Sequence, residues 1–113
     1  MAKKSRVPRP TKKYEYELFF GTHDASKKWR DLVATLRNPM VDAWDFLTQT
    51  PLKHTQRSYP LKGKEATIVR QGAAHTLWQY KPTLGGSARI WYYVEDQSVY
   101  IVAVHTHHPN ETK

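Results

Sequence analysis

Cysteine is absent from this chain of 113 residues, which excludes disulfide bonds and thiolate metal ligands. Long apolar runs are absent as well, so we expect neither a membrane-spanning helix nor the hydrophobic region of a signal peptide. Acidic residues are few, ten against eighteen lysines and arginines. The sequence therefore predicts a basic protein that folds without covalent cross-links and is compatible with a reducing cytoplasm.

The positive charge is unevenly distributed. Residues 1–13 hold six basic residues, two prolines and no acid, a composition that predicts a disordered basic arm. The rest of the chain, residues 14–113, has a length that suits one domain with a real core.

A second concentration of positive charge lies in residues 51–93, which carry seven basic residues against one acid, Glu65. It suggests an anionic partner, most commonly nucleic acid; the alternative is a solvated surface that keeps the protein soluble. Aromatic residues within this region offer stacking platforms for unpaired bases, or they belong to the core. They are Tyr59, Trp78, Tyr80, Trp91 and Tyr93.

The first half of the domain predicts one strand and two helices. Residues Tyr14–Phe20 alternate apolar side chains with glutamates, as in a half-buried strand. Asp24 is placed to cap a helix that ends at Asn38 and Pro39, where a second helix begins and continues to about Gln49. The apolar stripes predict a helical hairpin on one face of a sheet. They are Trp29, Leu32, Val33 and Leu36, then Val41, Trp44 and Leu47.

The second half predicts a sheet. Residues 52–64 have weak periodicity and are expected to be irregular, whereas Glu65–Arg70 reads as a strand. Between His75 and His108, three further runs rich in Trp, Tyr, Val and Ile are separated by turn residues. The predicted fold is α+β: β-α-α followed by an antiparallel meander, with the helical hairpin on one face of a twisted sheet and the other face partly open.

Four polar residues interrupt this apolar sheet. Arg89 opens one strand, and His105, His107 and His108 close the next. An arginine that grips phosphate and a histidine that transfers protons near neutral pH are parts of a metal-free site for RNA cleavage. The alternatives are a structural arginine paired with a carboxylate, a polar chain end, or a Zn²⁺ or Ni²⁺ site formed by the histidines.

The strand register decides which histidine lies near Arg89. If Val94 pairs with Val99 across the turn, Arg89 shares its face with His108. A register shifted by one residue brings His105 and His107 to that face instead.

Short motifs in the second half resemble the RelE/ParE superfamily of bacterial toxins from type II toxin–antitoxin modules. They are LKG at 61–63, WQY at 78–80, ARIWYYV at 88–94 and VHTHHP at 104–109. Together with the β-α-α-β-β-β order, the resemblance extends over residues 14–108 and leaves the basic arm outside it.

The resemblance implies a small toxin of the bacterial cytoplasm that enters the ribosomal A site and cuts messenger RNA. No metal or other cofactor takes part in that branch, where the ribose 2′-OH attacks the adjacent phosphate. An acidic antitoxin wraps the basic face and forms a hetero-oligomer with the toxin. The ParE branch inhibits DNA gyrase instead, and a non-catalytic nucleic-acid-binding member is a further alternative.

The resemblance also implies roles for particular residues. Arg89 matches the strand arginine that would clamp phosphate, and His105, His107 or His108 would be the acid or base. Glu65 would be the general base used in some members. The residues implied or expected to bind RNA are Arg57, Lys62, Lys64, Arg70 and Lys81.

The chain departs from the family pattern at its last motif. The His-Tyr ending of one branch is replaced by His107-His108, which leaves the base-stacking role without an assigned residue. The histidine cluster favours the ribonuclease branch, because gyrase inhibition requires no proton transfer by the toxin.

Overall fold

The computed structural model describes residues 4–107, except for the side chain of Glu65. Residues 4–12 contain no helix or strand. The elements that follow are β1 (Glu17–Phe20), α1 (His23–Thr35), α2 (Arg37–Gln49), β2 (Ser58–Pro60), β3 (Thr67–Arg70), β4 (Ala73–Thr76), β5 (Trp78–Tyr80), β6 (Arg89–Glu95) and β7 (Ser98–His105), with a 3₁₀ turn at Gly63–Glu65. Of the two helices in this described part, neither is long and apolar enough to cross a bilayer.

Five strands form the main sheet in the order β1-β7-β6-β5-β2. The edge strand β1 runs parallel to β7, and the other neighbours are antiparallel. Strands β3 and β4 form a separate two-stranded hairpin. The predicted α+β class, with two helices and a mostly antiparallel sheet, is confirmed.

Both helices begin near the predicted positions but with different caps. The Thr22 hydroxyl accepts a hydrogen bond from the Ala25 amide at 3.0 Å, so Thr22 rather than Asp24 caps α1. Helix α2 begins at Arg37 with Leu36 at its N-cap and no side-chain cap, whereas Asn38, two residues later, is the predicted cap. Threonine and aspartate are both good N-caps, and their proximity explains the error.

The helices cover one face of the main sheet, but α2 is rotated from the predicted orientation. Its buried apolar residues are Met40, Ala43 and Leu47, whereas Val41 and Trp44 are 51% and 41% exposed. The prediction that Trp44 belongs to the core is therefore wrong. The buried set and the predicted set are neighbouring stripes of the helix that share Leu47. The helical period of the sequence alone does not decide which of the two stripes is buried.

The strand assignments differ from the prediction between residues 58 and 80. Ser58–Pro60, expected to be irregular, pairs with β5 at the edge of the main sheet. The predicted strand from His75 is divided at Leu77, whose amide donates to the Ala66 carbonyl and whose carbonyl accepts from the Leu61 amide. The chain therefore passes from the hairpin into the main sheet at a buried leucine.

The face away from the helices, called the outer face below, is partly covered by the β3–β4 hairpin. A row of stacked rings crosses this face, in which His75 of the hairpin lies on Tyr93 with ring centroids 4.3 Å apart. Tyr93 stacks on Tyr100 at 5.1 Å, and Tyr100 on Phe19 at 5.5 Å. The predicted open face is therefore closed at the end of the sheet that holds this row.

A bulge changes the register of the two central strands, β6 and β7. Val94 pairs with Val99, as assumed from the sequence, but the register shifts between Trp91 and Tyr92. Beyond the shift, Arg89 pairs with His105. The register extrapolated from the turn is therefore wrong at this end of the sheet, and the alternative that brings His105 to the face of Arg89 is correct. His108 lies outside the described residues.

The core against the helices contains two buried phenols, Tyr80 and Tyr92, and Tyr92 is the more deeply buried. Tyr92 is fully buried, and its hydroxyl donates to the Pro51 carbonyl at 2.6 Å. Because that bond uses the single phenolic hydrogen, the Ser58 hydroxyl at 3.0 Å is the donor in the other contact. These bonds tie β6 to the chain just after α2 and to β2.

Replacing Tyr92 by phenylalanine should lower the free energy of unfolding by about 1–3 kcal/mol, because the buried Pro51 carbonyl and Ser58 hydroxyl lose their partner. Urea unfolding followed by circular dichroism measures the change. Tyr14→Phe, at a 65% exposed side chain, is the control and should leave the stability unchanged within about 0.5 kcal/mol. Equal stabilities for the two variants would contradict the assigned role of Tyr92.

Stability should fall at alkaline pH. Burial raises the pKa of Tyr92 and that of Tyr80 above the ordinary value. Between the ordinary pKa near 10 and the raised pKa of the folded state, the unfolded chain loses these protons first, so the free energy of unfolding decreases as pH rises. Urea titrations from pH 8 to 11 should show a shallower decrease for Tyr92→Phe, by up to about 1.4 kcal/mol per pH unit. Parallel curves would refute this contribution.

Candidate nucleic-acid interface

The bulge places the predicted arginine and one predicted histidine opposite each other. Arg89 on β6 and His105 on β7 are cross-strand partners, and directly opposed residues in an antiparallel pair have Cβ atoms about 5 Å apart. Their side chains therefore share one end of the outer face.

Arg89 is held firmly by the loop that precedes its strand. It is 7% exposed, and its Nη1 donates to the carbonyls of Gly86 at 3.0 Å and Ala88 at 2.7 Å. The guanidinium is thus fixed in orientation by backbone acceptors, and no carboxylate among the described side chains of residues 4–107 forms an ion pair with it. This geometry fits a preorganised phosphate ligand, and it also fits an arginine that stabilises the loop.

His105 lies against an aromatic neighbour at the end of β7. Its half-buried ring meets Trp91 edge to face, with centroids 4.5 Å apart and the planes at 68°. This contact fixes the imidazole on the same side of the sheet as Arg89. His105 is therefore the predicted histidine that the fold places directly across from the arginine, on the same face.

A chain of hydrogen bonds continues from Trp91 across the outer face. The Trp91 indole donates to Gln79 Oε1 at 2.8 Å, and Gln79 Nε2 donates to the Tyr59 hydroxyl at 3.0 Å. Gln79 pairs with Trp91 on one side and with Tyr59 on the other, so the three residues form one row over β6, β5 and β2. The row connects the Arg89 end to the edge of the sheet.

Two further predicted RNA-binding residues lie at this edge of the sheet, Lys81 beside the row and Arg57 near Tyr80 on the helix side. The Lys81 ammonium lies 5.2 Å from the centroid of the Tyr59 ring, a cation–π distance. Arg57 Nη1 donates to the carbonyls of Lys81 and Pro82, at 3.3 Å and 2.9 Å. Both cations are thereby positioned near β2 and the end of β5.

The other predicted basic residues belong to the hairpin region. Lys62 and Lys64 are exposed in the segment that leads from β2 to β3. Arg70 ends β3, and its charge lowers the pKa of Tyr93, which burial raises more strongly. Tyr93 is four residues along β6 from Arg89, or about 13 Å, so the hairpin cations lie toward the other end of the sheet.

The remaining candidates are placed only in part. His107 is exposed just beyond β7, the side chain of Glu65 is not described, and His108 lies outside residues 4–107. In the described part of the chain, no three His, Cys, Asp or Glu side chains are grouped as metal ligands. The alternative metal site of His105, His107 and His108 includes a residue outside the described part of the chain, so it stays a prediction.

Sequence reasoning did not predict the role of Gln79. This residue is 7% exposed and satisfies both ends of its amide with aromatic side chains. The feature of the sequence that could have indicated this role is a single glutamine between two aromatic residues of an apolar strand. A buried amide of this kind requires hydrogen-bond partners on the neighbouring strands.

The chain matches no family model, no curated protein and no solved structure.

Trp91→Phe should destabilise the protein by about 1–2 kcal/mol, because the buried Gln79 carbonyl loses its donor. Urea unfolding followed by circular dichroism at 222 nm measures the change without depending on tryptophan fluorescence. Trp44→Phe, at an exposed indole, is the matched control and should change stability by less than about 0.5 kcal/mol. Similar losses in both variants would contradict the proposed importance of the Gln79 bonds.

Proposed function

We propose that this protein is a RelE/ParE-type toxin that cuts messenger RNA on the ribosome without a metal ion. The observation that carries the proposal is the cross-strand pair of Arg89 and His105 on a basic sheet face. These two side chains supply a phosphate ligand and a proton-transfer group at one place, the combination that 2′-OH attack on a phosphodiester requires.

The architecture supports the same proposal. The chain order of one strand, two helices and then a mainly antiparallel sheet is the order that the resemblance implies. The β3–β4 hairpin is an addition to that pattern, and it occupies the end of the outer face away from Arg89 and His105.

In this mechanism Arg89 contacts the scissile phosphate. Its position is set in advance by the carbonyls of Gly86 and Ala88, so little reorganisation is needed when charge develops on the phosphorane. His105 moves a proton to the leaving 5′-oxygen or from the attacking 2′-OH. His107, His108 and Glu65 are the further candidates for the second proton transfer.

The charge distribution supports RNA and an acidic protein as partners. Lys62, Arg70 and Lys81 lie near Tyr59 or Tyr93 of the outer face. Lys64 is exposed before β3, and Arg57 lies at the β2 edge near Tyr80. In the proposed function these cations contact the backbone of the messenger and ribosomal RNA. An acidic antitoxin segment would cover the same surface in a hetero-oligomer in the bacterial cytoplasm.

One observation favours a second candidate, a non-catalytic nucleic-acid-binding member of the family. Arg89 is nearly buried, and one of its terminal nitrogens already bonds two carbonyls, as in a purely structural arginine. In that case the basic face would bind nucleic acid and leave it intact. Binding without cleavage separates this candidate from the endonuclease.

His105→Ala and Arg89→Ala should each slow messenger cleavage at least about a hundredfold, because each removes a group that acts in the transition state. The measurement is primer extension on a defined messenger in a purified bacterial translation system, with and without ribosomes. Wild-type protein should give cuts that require ribosomes.

Matched controls are His23→Ala and Arg30→Ala, whose side chains are exposed on α1 and whose loss should leave the cleavage rate unchanged. Circular dichroism checks that the Arg89 variant is folded. If the messenger stays intact at a high concentration of wild-type protein, the endonuclease proposal is contradicted. A supercoiling assay with DNA gyrase would then test the ParE-like alternative.

A further inference from the structure

A cavity lies beside Tyr59 at the edge of the sheet. Its volume is about 390 Å³, within the range of about 300–1,000 Å³ that is usual for small-molecule sites. The residues that line it are His54, Tyr59, Pro60, Leu61 and Lys62. Two rings, two aliphatic side chains and one cation therefore form its walls, and no acidic side chain is among these five.

The hydrogen bonds from Trp91 through Gln79 to Tyr59 leave the phenolic hydrogen of Tyr59 for a ligand. An indole nitrogen only donates, so Trp91 requires the carbonyl oxygen of Gln79 to face it. The Gln79 amide nitrogen must then donate to Tyr59, whose oxygen accepts. The phenolic hydrogen takes no part in that bond and remains for an acceptor on a ligand.

Two cations lie close to this cavity. Lys62 lines the cavity, whereas Lys81 is not among the lining residues and contacts the Tyr59 ring at 5.2 Å. The cavity thus offers an aromatic surface with two positive charges near it. His54 adds a second ring, with its centroid 6.3 Å from that of Tyr59.

We infer that this cavity binds one unpaired nucleotide of RNA. Its base stacks on Tyr59 beside His54, and a ribose or phosphate oxygen of the same strand accepts a hydrogen bond from the Tyr59 hydroxyl. Lys62 and Lys81 contact the flanking phosphates. A simple anion would use the lysines but not the rings. The choice of RNA over other aromatic anions rests on the proposed function.

The site is separate from the cleavage centre. Strand β2 lies two strands from β6, or about 10 Å at the usual interstrand spacing. A nucleotide at Tyr59 is therefore a neighbour of the one whose phosphate contacts Arg89. Contacts at this distance would position the strand and would take no part in the proton transfers.

The experiment measures binding alone. The probe is fluorescein-labelled hexauridylate with 2′-O-methyl groups, which lacks the 2′-hydroxyl nucleophile and stays uncut, and its dissociation constant is determined by fluorescence anisotropy. Tyr59→Ala should weaken binding about tenfold or more, as expected for the loss of one base stack. Tyr59→Phe keeps the ring and should weaken binding about two- to threefold.

A salt titration tests the cation. Lys62→Ala should weaken binding and reduce the slope of log K against log salt by about 0.7, the loss of one phosphate contact on a single strand. Tyr14→Ala and Lys27→Ala, at exposed positions outside the cavity, are the controls and should bind as wild type does. Because Tyr59→Phe and Lys62→Ala retain the packed ring, they keep the test valid if Tyr59→Ala fails to fold.

Wild-type affinity in both Tyr59→Phe and Lys62→Ala would overturn the assignment. So would equal loss of affinity for the probe and for heparin in Tyr59→Ala, since heparin carries charge but no bases. The result is independent of cleavage. If the Tyr59 variants bind more weakly but the wild type makes no ribosome-dependent cuts, the nucleotide site is retained and the endonuclease is rejected. If the wild type cuts but the variants bind normally, the endonuclease is retained and the nucleotide site is rejected.

Discussion

The register of the β6–β7 pair determines what the outer face presents. One bulge, at the step between Trp91 and Tyr92, shifts the pairing of the two strands by one residue. Arg89 therefore pairs with His105 instead of Val104. Without this shift, His105 would point toward the helices, where an imidazole would have to be buried in an apolar core. The bulge therefore maintains both the apolar core and the polar outer face.

The two faces of the sheet are stabilised by different chemistry. The helix side is mainly apolar and holds two buried phenols, Tyr80 and Tyr92. Bonds to Pro51 and Ser58 satisfy the hydroxyl of Tyr92. The outer face relies on paired polar and aromatic groups, in which Gln79 links Trp91 to Tyr59. Because both ends of the buried Gln79 amide have partners, this row of side chains keeps a defined geometry.

Local patterns predicted the elements more reliably than their arrangement. The helical hairpin and the strands around Arg89 and His105 follow from apolar periodicity and turn residues, and the basic face follows from charge. The bulge and the bonds of Gln79 depend on contacts between strands, which no single segment encodes. Trp44 was misplaced because neighbouring helical stripes share residues, and Ser58–Pro60 was missed because three residues form too short a pattern to recognise.

The β3–β4 hairpin is attached to the main sheet in an unusual way. It belongs to a separate sheet, and His75 rests on Tyr93 through ring stacking. Its turn, at Gln71 and Gly72, has two successive residues with positive φ, a geometry that favours glycine or asparagine. Since the ladder of the main sheet does not pass through this hairpin, insertions at its tip would leave the central strands in register. The hairpin is thus a place where related chains could diverge in length and acquire new specificity at little structural cost.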